Sequence, residues 1–392
     1  MTSSADLSSR DFRKILLIKL SAVGDVVHTF PVLNKLRQRY PAARLDWLTT
    51  PPIAELLRHN QAITTVIEFE RAEWNSPWRL APFANTARLA AKLRAVGYDL
   101  VLDIQGQLRS AFFTLATSAP VRIGFDRPRA SVWDASPRKF SAEARRHAWQ
   151  GAREGSWVAY THHIAVPTLD LHAVDRYLNI GPILGLDRGP ADFSFPIPQA
   201  ADVSVDALLA RYGVGDKPLM IMAPGTVWET KNWGGDKFAA VARHFMLSGM
   251  AVTLIGSRRD RAVCEEVAGR APGAINIAGE TALTELAALV RRSAMNVTND
   301  SGPMHLAAAL DRPVVSIFGP TDAVWTGPYR RPDAVAQAHV PCAPCYLRQL
   351  SRCHYGHRCM QEVSTLSVIE RIERFLRPSA GEAPIGAQAS AG

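Results

Sequence analysis

The chain has 392 residues, 47% of them hydrophobic and 21% charged, with a formal net charge of +9. That balance suits a globular protein with sizeable cores, and the length favours more than one domain. No apolar run reaches the roughly 18 residues of a membrane span. The opening MTSSADLSSRDFRK lacks an apolar signal core, so a cytoplasmic protein is expected. The positive charge admits nucleic acid, an anionic membrane face or an anionic substrate. No helix-turn-helix, zinc-finger or RNP-type pattern is present, which sets nucleic acid aside.

After the polar tail, KILLIKL (Lys14–Leu20) reads as a buried parallel strand. The loop SAVGD and a helical stretch to about Tyr40 follow, with Pro31 suited to a first helical turn. Arg44–Thr49 reads as a strand, residues 84–97 as an amphipathic helix and Tyr98–Ile104 as another buried strand. The alternation predicts a parallel sheet covered on both faces. Arg122–Arg153 is rich in Lys and Arg and reads as a long irregular or weakly helical insertion. Gly185–Pro198 reads as a linker. A second α/β unit then runs through the strands Pro218–Pro224, Met250–Ser257, Met295–Thr298 and Pro313–Gly319. The expected divisions are a disordered tail over 1–12, domains over 13–187 and 188–365, a C-terminal helix over 366–378 and a disordered tail over 379–392.

Ligands of open α/β sheets bind at the carboxyl ends of the strands. Four loops there carry unusual residues. In Ser21–Asp25, Gly24 permits close approach of the backbone, and Asp25 suits either a general base or a helix cap. In Pro224–Trp233, Thr226 and Lys231 suit phosphate oxygens, although Lys231 also suits a surface turn. The Walker A spacing is absent. In Gly256–Asp260 the acid suits a ribose hydroxyl or a solvated charge cluster. In Asn299–His305, Pro303 suits the first helical position, so Ser301 and Gly302 place bare N–H groups at a helix start. His305 follows on the first turn, as a ligand contact or a structural histidine. Asp300 would repel a pyrophosphate and suits sugar hydroxyls. Lys19, Arg109, Arg176 and the basic stretch suit an anionic partner or a solvated face. Cys342, Cys345, Cys353 and Cys359 form C-x₂-C-x₇-C-x₅-C, compatible with a structural zinc, with reduced thiols or with a redox-labile pair.

Taken together, ILLIKLSAVGDVVHTFPVLNKLRQRYPAARLDWLT, DIQGQLRS, RIGF, HAVDRY, PGTVWETKNW and NDSGPMHLAAAL followed by RPVVSIFGPTD resemble the ADP-heptose:lipopolysaccharide heptosyltransferase family. The match runs over roughly residues 13–375 and is most like the heptosyltransferase I branch. The resemblance implies a GT-B fold, in which two Rossmann-like domains face each other across a cleft. It implies inverting transfer of heptose from ADP-heptose to the Kdo-lipid A inner core, needing no metal and no cofactor, on the cytoplasmic face of the inner membrane. It assigns Asp25 as the base. The donor side falls to Thr226, Lys231, Asp260, Asp300, Ser301, Gly302 and His305, with Asp260 matching only approximately. The acceptor side falls to Lys19, Gly24, Gln105, Arg109 and Arg122. A relative with another donor sugar or another glycan acceptor is the alternative. A nucleotide-sugar epimerase and a non-catalytic nucleotide-binding protein fit the same motifs less well, and no G-x-G-x-x-G favours an NAD oxidoreductase.

Overall fold

The protein is described by a computed structural model covering residues 7–70, 80–127, 129, 132, 151–168 and 170–377. The expected terminal tails and most of the basic stretch lie largely outside these residues.

Two six-stranded sheets organise the chain. The first contains β1 (Lys14–Ile18), β2 (Arg44–Thr49), β3 (Thr65–Glu68), β4 (Leu100–Asp103), β5 (Val121–Phe125) and β6 (His162–Ile164). Its order is β3-β2-β1-β4-β5-β6, and every pairing is parallel. The second contains β7 (Leu219–Ala223), β8 (Ala251–Leu254), β9 (Ile275–Asn276), β10 (Met295–Asn299), β11 (Val314–Phe318) and β12 (Val335–Gln337). Its order, β9-β8-β7-β10-β11-β12, repeats the first, and it too is wholly parallel. This is the doubly wound arrangement, in which the strand order reverses beside the first strand and opens a crevice at the carboxyl ends. β7 (LMIMA) and β11 (VVSIF) are continuous apolar runs, buried throughout, because both faces of the sheet are covered.

Three local readings change. The stretch after SAVGD is two helices, Val23–Val27 and Phe30–Arg39, because Pro31 opens a new first turn after the break at His28 and Thr29. The helix expected over 84–97 begins earlier, at Leu80. The beginning of the supposed irregular insertion is strand β5, since Arg122 pairs in register with Val101 of β4. No described helix is long and apolar enough to cross a membrane.

The two halves share packing. A single apolar cluster contains β1 and β2 side chains together with Ala287, Leu306, Trp325 and Tyr346 of the second half. Helix Val23–Val27 packs on helix Gly302–Ala309, and helix Pro51–Leu57 packs on helix Leu283–Arg292. At the latter contact Thr284 Oγ1 donates to Glu55 Oε1 at 2.9 Å. These contacts bring the carboxyl ends of β1 and β10 face to face.

In the second half, Phe238 is fully buried and packs edge-on to Trp233 with ring centroids 5.2 Å apart. Phe238→Ala is expected to cost about 3–5 kcal/mol, read as a lowered urea midpoint of the transition of that half.

Candidate active site

Strand β1 ends at Ile18 and delivers Lys19 and the SAVGD loop to the crevice. The loop is held from β4. Gln105 Oε1 accepts the backbone N–H groups of Leu20 (3.0 Å) and Ser21 (3.4 Å). Asp103, fully buried, accepts the N–H groups of Gln105 and Gly106 at 3.0 Å and the Tyr160 hydroxyl at 2.8 Å. Gln105 therefore shapes the loop beneath the site.

Lys19 is buried, with Nζ donating to Ile104 O at 3.2 Å and to the Tyr177 hydroxyl at 3.0 Å. That hydroxyl in turn donates to Asp25 Oδ1 at 3.1 Å. Lys19 Nζ stands 3.9 Å from the same oxygen. The other Asp25 oxygen, Oδ2, accepts the Ala22 N–H at 3.2 Å, so the carboxylate also performs the capping task. Burial opposes charge on Lys19, but Asp25 and the Tyr177 hydroxyl outweigh it and raise its pKa. Burial likewise opposes charge on Asp25, but Lys19, the Ala22 N–H and Tyr177 outweigh it and lower its pKa. Asp25 is thus an anion at neutral pH. Its side chain is 43% exposed while that of Lys19 is 4% exposed, so a reactant reaches the carboxylate and not the ammonium.

The second half supplies the opposite wall. Lys231 Nζ lies 2.7 Å from Asp300 Oδ2, and Thr321 Oγ1 donates to the same oxygen at 2.6 Å. Trp228 carries two cations on its ring, Lys231 at 4.4 Å and Arg348 at 4.8 Å from the centroid. Ser301 is the N-cap of helix Gly302–Ala309, with Pro303 in the first turn. Gly302 faces Val23: a Cβ there would lie 3.2 Å from Val23 Cβ. Thr226 is half-buried in the loop after β7. Asp260 Oδ2 accepts both the N–H and the hydroxyl of Ser257 at 2.7 Å. Its side chain lies against Gly225 and Gly256, where a Cβ would come within 2.3 Å and 2.6 Å. It clamps two strand-end loops together.

His305 joins the halves. Its Nδ1 lies 2.9 Å from His28 Nε2. Its ring covers Gly24 so closely that a Cβ there would sit 2.1 Å from Cδ2. Burial lowers its pKa to about 4, with Lys231 adding to the shift and Asp300 and Asp25 opposing it. Burial also lowers His28 well below the usual histidine value, and His172 to about 3.

The structure thus assembles Lys19, Gly24, Asp25, Lys231, Asp300, Ser301, Gly302 and His305 around one crevice. Arg109 stands in the first turn of helix Leu108–Ala116, beside the loop that Asp103 shapes. Arg122 is not brought in. It sits near the amino end of β5, and its guanidinium donates to Ala159 O and Ala119 O. His28, His172, Tyr177, Thr321 and Arg348 were not singled out in sequence, although His172 and Tyr177 belong to the HAVDRY motif. Of the four clustered cysteines, Cys342, Cys345 and Cys353 are half-buried and Cys359 is buried. Among the described residues no group of three or more His, Cys, Asp or Glu is placed to hold a metal ion.

The glycosyltransferase family 9 (heptosyltransferase) model matches residues 86–152 and 138–355. The chain belongs to glycosyltransferase family 9. It is 30% identical to lipopolysaccharide heptosyltransferase 1 of Pseudomonas aeruginosa over 85% of this chain and 86% of the relative. Its fold is that of a family 9 glycosyl transferase from Veillonella parvula, with a TM-score of 0.74, 20% identity and coverage of 95% and 98% of the two chains. It is also that of the Escherichia coli heptosyltransferase WaaC solved with ADP-2-deoxy-2-fluoro heptose, with a TM-score of 0.65, 23% identity and coverage of 92% and 99%. The expected GT-B architecture is thereby established.

Two outcomes follow for this family 9 site. Gly24→Ala is expected to lose most turnover and to lower the thermal midpoint, because the added methyl must displace the buried His305. Undiminished activity would show that the ring has room to move. For the buried histidines, the folded pKa values lie below the unfolded value of 6.5. The unfolded chain therefore binds more protons as pH falls from about 6.5 toward 4, and stability drops over that window. The thermal midpoint is expected to fall there, and a His28→Asn/His305→Asn double variant to show a shallower fall.

Proposed function

We propose that this chain is an inverting glycosyltransferase that moves L-glycero-D-manno-heptose from ADP-heptose to the Kdo-lipid A inner core during lipopolysaccharide synthesis. The observation that carries the reading is an ionised, accessible Asp25 facing a cationic helix start across a crevice between the two halves. Family membership and the likeness to lipopolysaccharide heptosyltransferase 1 support the sugar and the pathway.

The chemistry requires a nucleophile and a leaving group at opposite sides of one carbon. An acceptor hydroxyl is too weakly acidic to ionise at neutral pH. The exposed Asp25 carboxylate takes its proton as the oxygen attacks the anomeric carbon. The bond to ADP breaks on the far face, which inverts the anomeric centre. Negative charge then grows on the pyrophosphate, where Lys231 and the N–H groups of the Ser301–Gly302 helix start answer it. Thr226 offers a hydroxyl to the same phosphates. Asp300, which pairs with Lys231 at 2.7 Å, also offers its carboxylate to sugar hydroxyls of the donor. Asp260, although it is engaged with Ser257, borders the loops that would receive the ribose. On the acceptor side, Lys19 acts through Asp25, Gly24 and Gln105 shape the floor, and Arg109 meets anionic groups of the lipid. The +9 charge favours docking on the anionic inner face of the membrane.

The test is transfer itself, with ADP-heptose and Kdo₂-lipid A as substrates and the product read by mass spectrometry. A heptose mass added to the lipid is expected. Asp25→Asn should keep donor affinity and lower kcat by roughly 10²-fold or more. Lys231→Ala should weaken donor binding as well as turnover. A fully active Asp25→Asn variant would remove the general base from the account.

A further inference from the structure

His28 caps the carboxyl end of helix Val23–Val27, three residues after Asp25, and its side chain is buried. Its Nε2 and His305 Nδ1 are 2.9 Å apart, with ring centroids 4.3 Å apart and planes at 84°. One histidine belongs to the first half of the chain and the other to the second. A hydrogen bond at that distance needs exactly one proton between the two nitrogens, so the pair has two neutral arrangements.

The remaining nitrogen of His28 chooses between them. Among the described residues, His28 Nδ1 is buried and has no hydrogen-bond partner. If that atom carried the proton, an N–H donor would be buried with nothing to accept it. If it does not, the atom is only an unused acceptor. Orphaned buried N–H groups are rarer than under-used acceptors, because an unpaired buried donor loses its hydration with nothing in return. The proton of His28 therefore sits on Nε2 and is donated to His305 Nδ1. His305 must then carry its own proton on Nε2, because the bond at one ring nitrogen sets the state of the other. Double protonation is opposed by burial and by the surroundings: Lys19, Arg176 and His172 face His28, and Lys231 faces His305, where Asp25 and Asp300 act in the other direction.

The neighbouring His172 is fixed by separate bonds. Its Nδ1 accepts the Val174 N–H at 3.2 Å and its Nε2 donates to Gly327 O at 2.9 Å. Its ring stands 5.0 Å from His28, nearly perpendicular, and closes the space on that side. His28 is thus held in one orientation by packing while it orients His305.

We propose that His28 is a positioning residue whose Nε2–H locks His305 as a neutral imidazole with its Nε2–H turned to the crevice, where it donates to an oxygen of the bound nucleotide sugar. The Nε2 edge lies against Gly24, immediately before Asp25. Neutrality matters there. A His305 cation beside Asp25 would pair with the carboxylate and weaken it as a base, and the opposite tautomer would turn a lone pair toward ligand oxygens. The proposal rests on the proposed function and on the donor-side role that the family resemblance gives His305.

The test has two arms. Protein labelled with ¹⁵N on its histidines is examined at about pH 7 without substrate by long-range ¹H–¹⁵N correlation, with His305 assigned by its loss in His305→Gln. Protonation on Nε2 is expected. Protonation on Nδ1, or on both nitrogens, overturns the proposal. Because no substrate is present, this arm decides the bond even if heptose transfer fails. In the second arm, His28→Leu keeps bulk without a donor, and His28→Gln keeps an N–H near the same place. Leu is expected to lower kcat roughly 10- to 100-fold, the range seen when an orienting partner of a histidine is removed. Gln is expected to restore most of that loss. Equal activity of the two folded variants, high or low, contradicts a role for the hydrogen bond.

Discussion

A lysine ammonium buried beside a carboxylate is the constraint on which the site depends. Lys19 leaves water at a large desolvation cost, which only close opposite charge and full hydrogen bonding offset. The compensation comes from three places far apart in sequence: Ile104 after β4, Tyr177 on helix Ala173–Leu178, and Asp25 after β1. The first half of the chain must therefore fold completely before Lys19 is satisfied. The reward is a carboxylate held as an anion yet open to a reactant. Tyr177 bridges the 3.9 Å between the charges, accepting from one and donating to the other.

The second half mirrors this logic with its polarity reversed. Asp300 is almost covered, and Lys231 and Thr321 satisfy it. Lys231 also rests on the face of Trp228, whose other cation is Arg348. The acid is exposed on one wall and the cation is offered on the other, which is the charge pattern a displacement at a sugar phosphate requires. What holds the walls together is mostly apolar. The shared cluster around Leu306 and Trp325 supplies the contact area, and the His28–His305 bond supplies direction.

Much of the architecture was legible because doubly covered strands are continuous apolar runs. β1, β4, β7, β8 and β11 announce themselves in this way, whereas β2 (RLDWLT) and β10 (MNVTN) carry polar residues and are read from the strand–helix alternation around them. The short outer strands do not. Thr65–Glu68, His162–Ile164, Ile275–Asn276 and Val335–Gln337 have two to four residues, incomplete burial and no period to read. The residues nearest the chemistry were legible for a related reason: they lie in loops just past buried strands, where small and charged residues have little structural excuse. What escaped was everything set by the meeting of distant segments. Nothing in the order of the chain places His28 on His305, 277 positions away, or Tyr177 on Asp25, 152 positions away. Conversely, Arg122 and Asp260 looked like ligand contacts, while their fixed bonds run to the protein's own backbone and to Ser257.

The central claim is that Lys19 holds Asp25 ionised as the base. The most direct measurement is the pH dependence of kcat/KM for the native protein and for a folded Lys19→Met variant. With the cation gone, the carboxyl should bind its proton more tightly, and the acid limb of the profile should move to higher pH. An acid limb that stays in place would show that Lys19 does not set the charge of the group that takes the proton.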